Sequence, residues 1–527
     1  MRATLVRPAS IARLRLSAGQ QVIAGRVAGA ATVLAVLVAL AAIVVYIWTA
    51  LHRISYPYEL DWLEGGAVEI VGRVLAGKPL YTTPSLAYVS YTYPPLYSYV
   101  SAAVAEVTGI GFLPLRLVSF VSSLAAIAVL WRWVVEATRD RVAGPVAAGL
   151  FAATYGLTGW WFDVGRLDSL FVALTLTALW LGRRAEGIGA GVAVGVIAFL
   201  ACFTKQIALV AVVPAFVWLA LIRPRAGLAA LTTLVVLLVA STVLLDDLTN
   251  GWYRYFVLSE LSGQPWLRWM WLGFWRVDLY YYLWPLAWLV GVAAIVAAGR
   301  AWRRRSDHDR RRPRLAIWRG ADGRLGVGYD LAAVAGLLLA AWFSRLHSGS
   351  APNVLMPAYV ACALLAALAF SRLRRLGALP ALAVCAVVVA QLAMLLTMPN
   401  RALPTKADRT AGAELIARLR SLPGPVLILG HPWYGTLAGK GSFAQVDAIT
   451  EVLRSDAHRG AAVLNRTLGD SLNHYHVQAV VLDQLASGWI AGQLARNFVL
   501  APGTITQQPL RAPVGRRSAP TYLYLRR

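Results

Sequence analysis

Charged side chains are scarce in this chain, and acidic ones scarcest: 14% of the 527 residues are charged, and 25 acidic residues stand against 50 basic ones. So little charge, together with 58% hydrophobic residues, excludes an ordinary soluble protein and points to a polytopic membrane protein. Cysteine is nearly absent. Cys202, Cys362 and Cys385 all lie within apolar runs, which excludes a disulfide framework and a zinc site and marks them as small buried side chains. There is no internal repeat and no low-complexity tract. The formal charge of +25 does not indicate nucleic acid, because the arginines cluster between apolar runs, as in membrane proteins that keep positive charge on the cytoplasmic side.

What remains is a succession of apolar segments. Arg2, Arg7, Arg13, Arg15 and Arg26 lead into an apolar run at 27–51 that exceeds the roughly 7–15 residues of a signal peptide core. It reads as a retained first helix with a cytoplasmic N-terminus. Further spans are expected at 113–134, 143–161, 170–182, 187–203, 207–221, 228–245, 280–298, 331–343, 354–370 and 379–398. At the usual length of roughly 20 residues that makes about eleven crossings. The odd count puts the C-terminus outside. Arginines 132, 139, 141, 183, 184, 223, 225, 372, 374 and 375, with the basic loop 300–324, then fall on one side. Residues 67–76 are expected to form a surface helix and 96–108 an interfacial one. The organisation expected is a basic cytoplasmic lead (1–26), a transmembrane domain (27–398) with outer loops at 52–112 and 246–279, and an outer domain (399–527). In that last part a helix at 411–419 and strands at 425–429, 477–482 and 521–525 suggest a small α/β unit. The fold class is therefore an all-α polytopic membrane protein with a small extracytoplasmic α/β C-terminal domain.

Against this apolar background a few polar residues stand out on the outer side. The stretch YPYELDWLEGG at 56–66 places Asp61 and Glu64 three apart, on one helical face. The short turn FDVGRLDS carries Asp163, Arg166 and Asp168, and Lys205 is a lone cation between two apolar runs. A fourth turn, RLHSGSAPNVLMP at 345–357, brings Arg345, His347 and Asn353. Each has a plain alternative: solvated loop acids, a helix cap, a snorkelling lysine, a structural histidine. Taken together they place carboxylates and cations at one membrane boundary, where ionisable groups are costly unless used. Transfer of a sugar from a lipid phosphate needs such a set, a base for the acceptor hydroxyl and cations for the departing phosphate. Asp61 is the expected base. Lys205, Arg166, His347 and Arg345 are the candidates for the donor phosphate. Glu64 is the second candidate catalytic residue, positioning acceptor or base; Asp163, Asp168 and Tyr93 are the candidates for positioning acceptor or sugar, and Glu64 with Asp168 offers oxygen ligands for a possible divalent cation. GTLAGKG at 435–441 lacks the length and the terminal Ser or Thr of a nucleotide loop. His474 and His476 lack further ligands at zinc spacing. Tryptophans 266, 269, 271 and 275 suit the membrane interface.

The motifs ELDWLEGG, YPPLYSYV, GFLPLRLVSF, GRLDSLFVAL and FTKQIAL together resemble the GT-C superfamily of integral-membrane glycosyltransferases, in the branch of protein O-mannosyltransferases and lipid A aminoarabinose transferases. That resemblance implies a polyprenyl-phosphate sugar donor, inversion at the anomeric carbon, and a first-loop aspartate, here Asp61, as catalytic base. The acceptor it leaves open is a hydroxyl of an envelope glycan, lipid or protein at the outer face of the plasma membrane. The alternative is a transporter or flippase of a lipid-linked sugar precursor, for which paired repeats and mid-membrane polar groups are expected.

Overall fold

The computed structural model describes residues 17–307, 326–396, 399–455, 457–516 and 518–527. Arg2, Arg7, Arg13, Arg15 and most of the basic loop 300–324 lie outside the described residues. Among the described residues, seven helices are long and apolar enough to cross a membrane: Gly19–Arg53, Phe112–Thr138, Pro224–Leu248, Met270–Trp302, Gly326–Leu346, Pro352–Arg374 and Ala378–Arg401. Four shorter apolar helices, Ala143–Ala153, Asp168–Gly182, Gly187–Cys202 and Ala208–Ile222, occupy the other expected crossings. With α1 (Ala18–Arg53), α4 (Phe112–Thr138), α5 (Ala143–Ala153), α6 (Asp168–Gly182), α7 (Gly187–Cys202), α8 (Ala208–Ile222) and α9 (Pro224–Leu248), the chain alternates direction. The described arginine clusters therefore collect at one set of helix ends and the acidic turns at the other.

Two expected spans differ in extent, and the difference shapes the site. The segment expected at 143–161 is helical only to Ala153; turns then carry the chain to Asp163. The second outer loop is largely helical: α9 runs on to Leu248, a π-helical turn covers Tyr255–Glu260, and the next span begins at Met270 rather than near 280. Such π turns displace one residue from the regular ladder. The two helices expected outside the crossings form at Glu64–Leu75 (α2) and Leu96–Thr108 (α3).

Small residues set the packing of the membrane body. Every residue of α5 is buried, and α1 lies against it through Ala35, Ala39 and Ala42 while Val33, Leu34, Leu37 and Val44 face outward. A Cβ on Gly149 would strike the backbone of Ala39. Gly191 and Gly195 of α7, four apart, likewise receive the carbonyls of Ala226 and Ala230 of α9, a small-residue seam of the kind that lets membrane helices approach closely.

After Pro399 the chain builds a four-stranded sheet of order β1-β2-β4-β3, from Val426–Ile428 (β1), Ala479–Leu482 (β2), Phe498–Leu500 (β3) and Tyr522–Arg526 (β4). β1 and β2 are parallel, Val426 opposite Ala479, while β4 pairs antiparallel with both β2 and β3. Val426, Ile428 and Val481 pack on the helix Lys406–Ser421 through Leu415 and Leu419. On the other face Leu427, Val480 and Leu482 join Ile449, Val452, Tyr81, Tyr253 and Phe256 in one cluster, so the sheet is seated on the loops 54–95 and 249–269 at one end of the membrane body. β3 is a three-residue edge strand of pattern buried-exposed-exposed, too short for a sequence period.

Gly149→Leu is expected to wedge α1 from α5 and to cost about 1–3 kcal/mol by overpacking, read as a lowered unfolding midpoint in detergent. An unchanged midpoint would show that the two helices are not held at this spacing.

Candidate active site

The C-terminal end of α1 fixes the first loop. Arg53, fully buried, forks onto Asp163 at 2.7 and 2.6 Å and also donates to the carbonyls of Trp160 and Ala402. Asp163 accepts a further bond from Tyr155 at 2.5 Å. This aspartate, expected to position acceptor or sugar, is thus occupied in joining α1 to the unwound end of α5. At the first residue of α2 a second buried pair forms. Arg116 of α4 grips Glu64 at 3.0 and 2.7 Å and donates to the carbonyls of Tyr56 and Tyr58 at 2.6 and 2.7 Å. Glu64 also accepts the backbone N–H of Leu60 at 2.7 Å and of Gly165 at 2.5 Å. Burial opposes its charge, but Arg116 and these donors together hold the carboxyl below its usual range. Both oxygens of Glu64 are thus taken by fixed donors, which ties the first loop to α4 and to the turn before α6.

Asp61 differs. It is fully buried; Oδ2 accepts from Leu63 N–H and from Arg166 Nη1, each at 3.3 Å, and Oδ1 has no hydrogen-bond partner. Burial pushes its pKa up to about 7 against the pull of Arg166, with the Glu64 charge adding to the rise. A carboxylate poised near neutrality with one open oxygen is suited to accepting a proton. Above it lies the C-terminal domain: Val514 N–H bonds the Leu60 carbonyl at 3.0 Å, and a Cβ on Gly515 would stand 2.7 Å from Asp61 Oδ1 and meet the rings of Trp62 and Trp161. Gly515 has φ +71°, so both backbone and space require glycine here.

The second half of the site is built by the bend between α7 and α8. Lys205 Nζ bonds Asp168 Oδ1 at 2.7 Å, and Asn353 Nδ2 holds the other oxygen at 2.9 Å. The ammonium lies 5.6 and 5.7 Å from the ring centres of Tyr93 and Phe171. Lys205 and Tyr93 line a cavity of about 220 Å³ that also reaches His347 and the apolar Ile207, Leu209 and Val210. Tyr93 and Arg166 line an adjoining smaller cavity, so Tyr93 is the wall between the two halves of the site. Arg345 is not among these lining residues; it pairs with Asp278 at 2.8 Å and bonds Ser350, which ties the turn after Leu346 to the Met270–Trp302 span. Glu64 is paired with Arg116 and Asp168 with Lys205. Among the described residues no group of three or more His, Cys, Asp or Glu is arranged to hold a metal ion.

Several residues of the site are not evident from sequence. Arg53 and Arg116 carry the same signal as Lys205, a cation at the outer end of an apolar run, and that criterion applied throughout would have found both. The buried cluster of Glu59, His431, Asp483 and Ser518 has no local signature. His431 Nδ1 meets Glu59, its Nε2 lies 2.9 Å from Ser518 Oγ and 3.2 Å from Asp483. Burial alone would depress the imidazole pKa, but the two carboxylates raise it to about 10. A protonated His431 so joins the sheet domain to Glu59, two residues from Asp61.

Residues 91–321 match the model of glycosyltransferase family 87; the match takes in Tyr93, Arg166, Asp168 and Lys205 and begins after Asp61. Among solved structures, ArnT from Cupriavidus metallidurans in the apo state is 14% identical with a TM-score of 0.56, over 94% of this chain and 98% of that one. The same protein bound to undecaprenyl phosphate is 15% identical with a TM-score of 0.54, over 93% and 97%. No curated protein is similar enough in sequence to match. The fold is that of these ArnT structures, with multiple membrane-spanning helices.

Arg116→Met leaves Glu64 buried without its base and is expected to cost about 3–5 kcal/mol, measured by denaturation in detergent. The double variant Arg116→Met/Glu64→Leu is expected to recover much of that loss. A double variant as unstable as the single one would show that the pair does not act as a unit.

Proposed function

We propose that this chain transfers a sugar from a polyprenyl-phosphate donor to a hydroxyl acceptor at the outer face of the plasma membrane. The observation that carries this reading is the buried, unpartnered Oδ1 of Asp61, held near neutrality beside Arg166, which lines a cavity that shares Tyr93 with the Lys205 cavity. The acceptor O–H gives its proton to Asp61 Oδ1, and the oxygen attacks the anomeric carbon. The bond from that carbon to the phosphate oxygen breaks with inversion. The charge released on the phosphate is met by Lys205 and Arg166, fixed in place by Asp168 and Asp61 before the donor arrives. The prenyl chain leaves past Leu209, which is 40% exposed on the outer surface of the bundle. The bound undecaprenyl phosphate of the ArnT structure supports a donor of this class in the same fold.

Asp61→Asn, tested in lipid nanodiscs with a labelled polyprenyl-phosphate sugar, is expected to lower transfer by about 10²–10⁴-fold while leaving the unfolding midpoint in place. An active variant would remove the proposed base. Because the base must be deprotonated, wild-type transfer is expected to rise with pH through about 7 and to fall away below it. A rate independent of pH between 5.5 and 8 would assign the proton to another group.

A further inference from the structure

The cavity beside Lys205 holds more polar groups than a phosphate or a prenyl chain requires. Besides Lys205 it is lined by Gln206, Glu260, Gln264, His347 and Glu451. Glu260 is fully buried at the end of the π-helical turn; one carboxylate oxygen accepts from Gln264 and the other, Oε2, has no partner. Gln206 Oε1 and His347 Nδ1 are shielded from solvent and also without partners. Glu451 comes from the helix Val446–Arg454 of the sheet domain. The two sides are locked together in advance: Arg454 Nε donates to Gln264 Oε1 at 2.7 Å, Gln264 Nε2 reaches the Glu451 carbonyl at 2.9 Å, and Ser455 Oγ bonds the Glu260 carbonyl at 2.7 Å.

Polar atoms left unpaired against a cavity define what should fill it, because each is costly to leave unmet. A hydrocarbon chain would leave all three unpaired. A bare phosphate would set like charge against two carboxyl groups. A polyol supplies donors for Gln206 Oε1 and both donors and acceptors for the carboxyls. We propose that Glu260, Glu451 and Gln206 form the subsite for the donor's glycosyl unit, a single neutral, hydroxyl-bearing monosaccharide, so that the C-terminal domain takes part in choosing the donor. This rests on the reading of the chain as a polyprenyl-phosphate-sugar transferase. Burial, and next the Glu451 charge, push Glu260 up to about 8; burial, and next Asp447, push Glu451 up to about 7. Near neutral pH the pair can therefore donate as well as accept. The volume of about 220 Å³ suits one sugar ring, and a sugar bearing its own carboxylate would be repelled by Glu451.

The full-length protein in nanodiscs is titrated with undecaprenyl phosphate, with the same lipid carrying mannose, glucose or galactose, and with the lipid carrying glucuronic acid. At least one hexose form is expected to bind about tenfold more tightly than the bare lipid, and the glucuronic form no more tightly than it. Glu451→Ala is expected to erase the hexose advantage while affinity for undecaprenyl phosphate stays within about twofold, and Glu451→Gln to restore most of it. Gln206→Ala, which removes an unpartnered oxygen, gives an independent variant with the same expected pattern. Equal binding of bare and hexose lipids by the wild type would overturn the subsite but not the donor class. So would a glucuronic form that binds best, or a Glu451→Ala variant that weakens the bare lipid as much as the hexose form. Failure of the wild type to bind any of these lipids would remove the donor class and the subsite with it.

Discussion

A carboxylate withdrawn from water has to be answered by fixed donors or a base, and at this membrane boundary three are answered in different degrees. Asp163 and Glu64 are fully met by Arg53 and Arg116; Asp61 is met on one oxygen only. The first two pairs contribute little net stability by Coulomb attraction alone, since desolvation offsets most of it. What they supply is position. Arg116 gathers the carbonyls of Tyr56 and Tyr58 and the carboxylate of Glu64 around one guanidinium, which fixes a loop otherwise free to relax and holds the third acid in an unrelaxed environment.

The membrane body is arranged to allow this. α5 is only 11 residues long, on the order of 16 Å at 1.5 Å per residue, well short of a hydrocarbon core of about 30 Å. Its outer end is unwound, and irregular backbone at that depth is tolerated where protein buries it. Here Arg53, Tyr155 and Ser119 take up groups of that turn, Ser119 bonding the Arg166 carbonyl at 2.8 Å. The shortened helices around Lys205 follow the same logic, with the α7–α8 bend placing an ammonium where a continuous helix would present only its flank.

The membrane architecture was legible because burial in lipid imposes long apolar runs and sorts charge by side, and both survive in a one-dimensional pattern. The placement of Asp61 beside Arg166 and of Lys205 beside Asp168 was legible in part, since scarce charge makes each polar residue conspicuous. Partner choice was not. Asp163 and Arg345 looked like free site residues but pair with Arg53 and Asp278, more than 60 residues away in sequence in each case. The contributions of the sheet domain, His431 on Glu59 and Glu451 in the cavity, depend on docking of a separate unit, for which no local period or spacing exists. The helical course of residues 246–279 was not legible, because the tryptophans and tyrosines there read equally well as interfacial anchors.

The single glycine above Asp61 bears on the idle enzyme. In a transferase of the proposed kind the rival nucleophile is water, present at far higher concentration than any acceptor. Asp61 is fully shielded from solvent, and Gly515 with the indoles of Trp62 and Trp161 crowds its unpartnered oxygen. For a base kept from water in this way, a low ratio of hydrolysis to transfer is the outward sign.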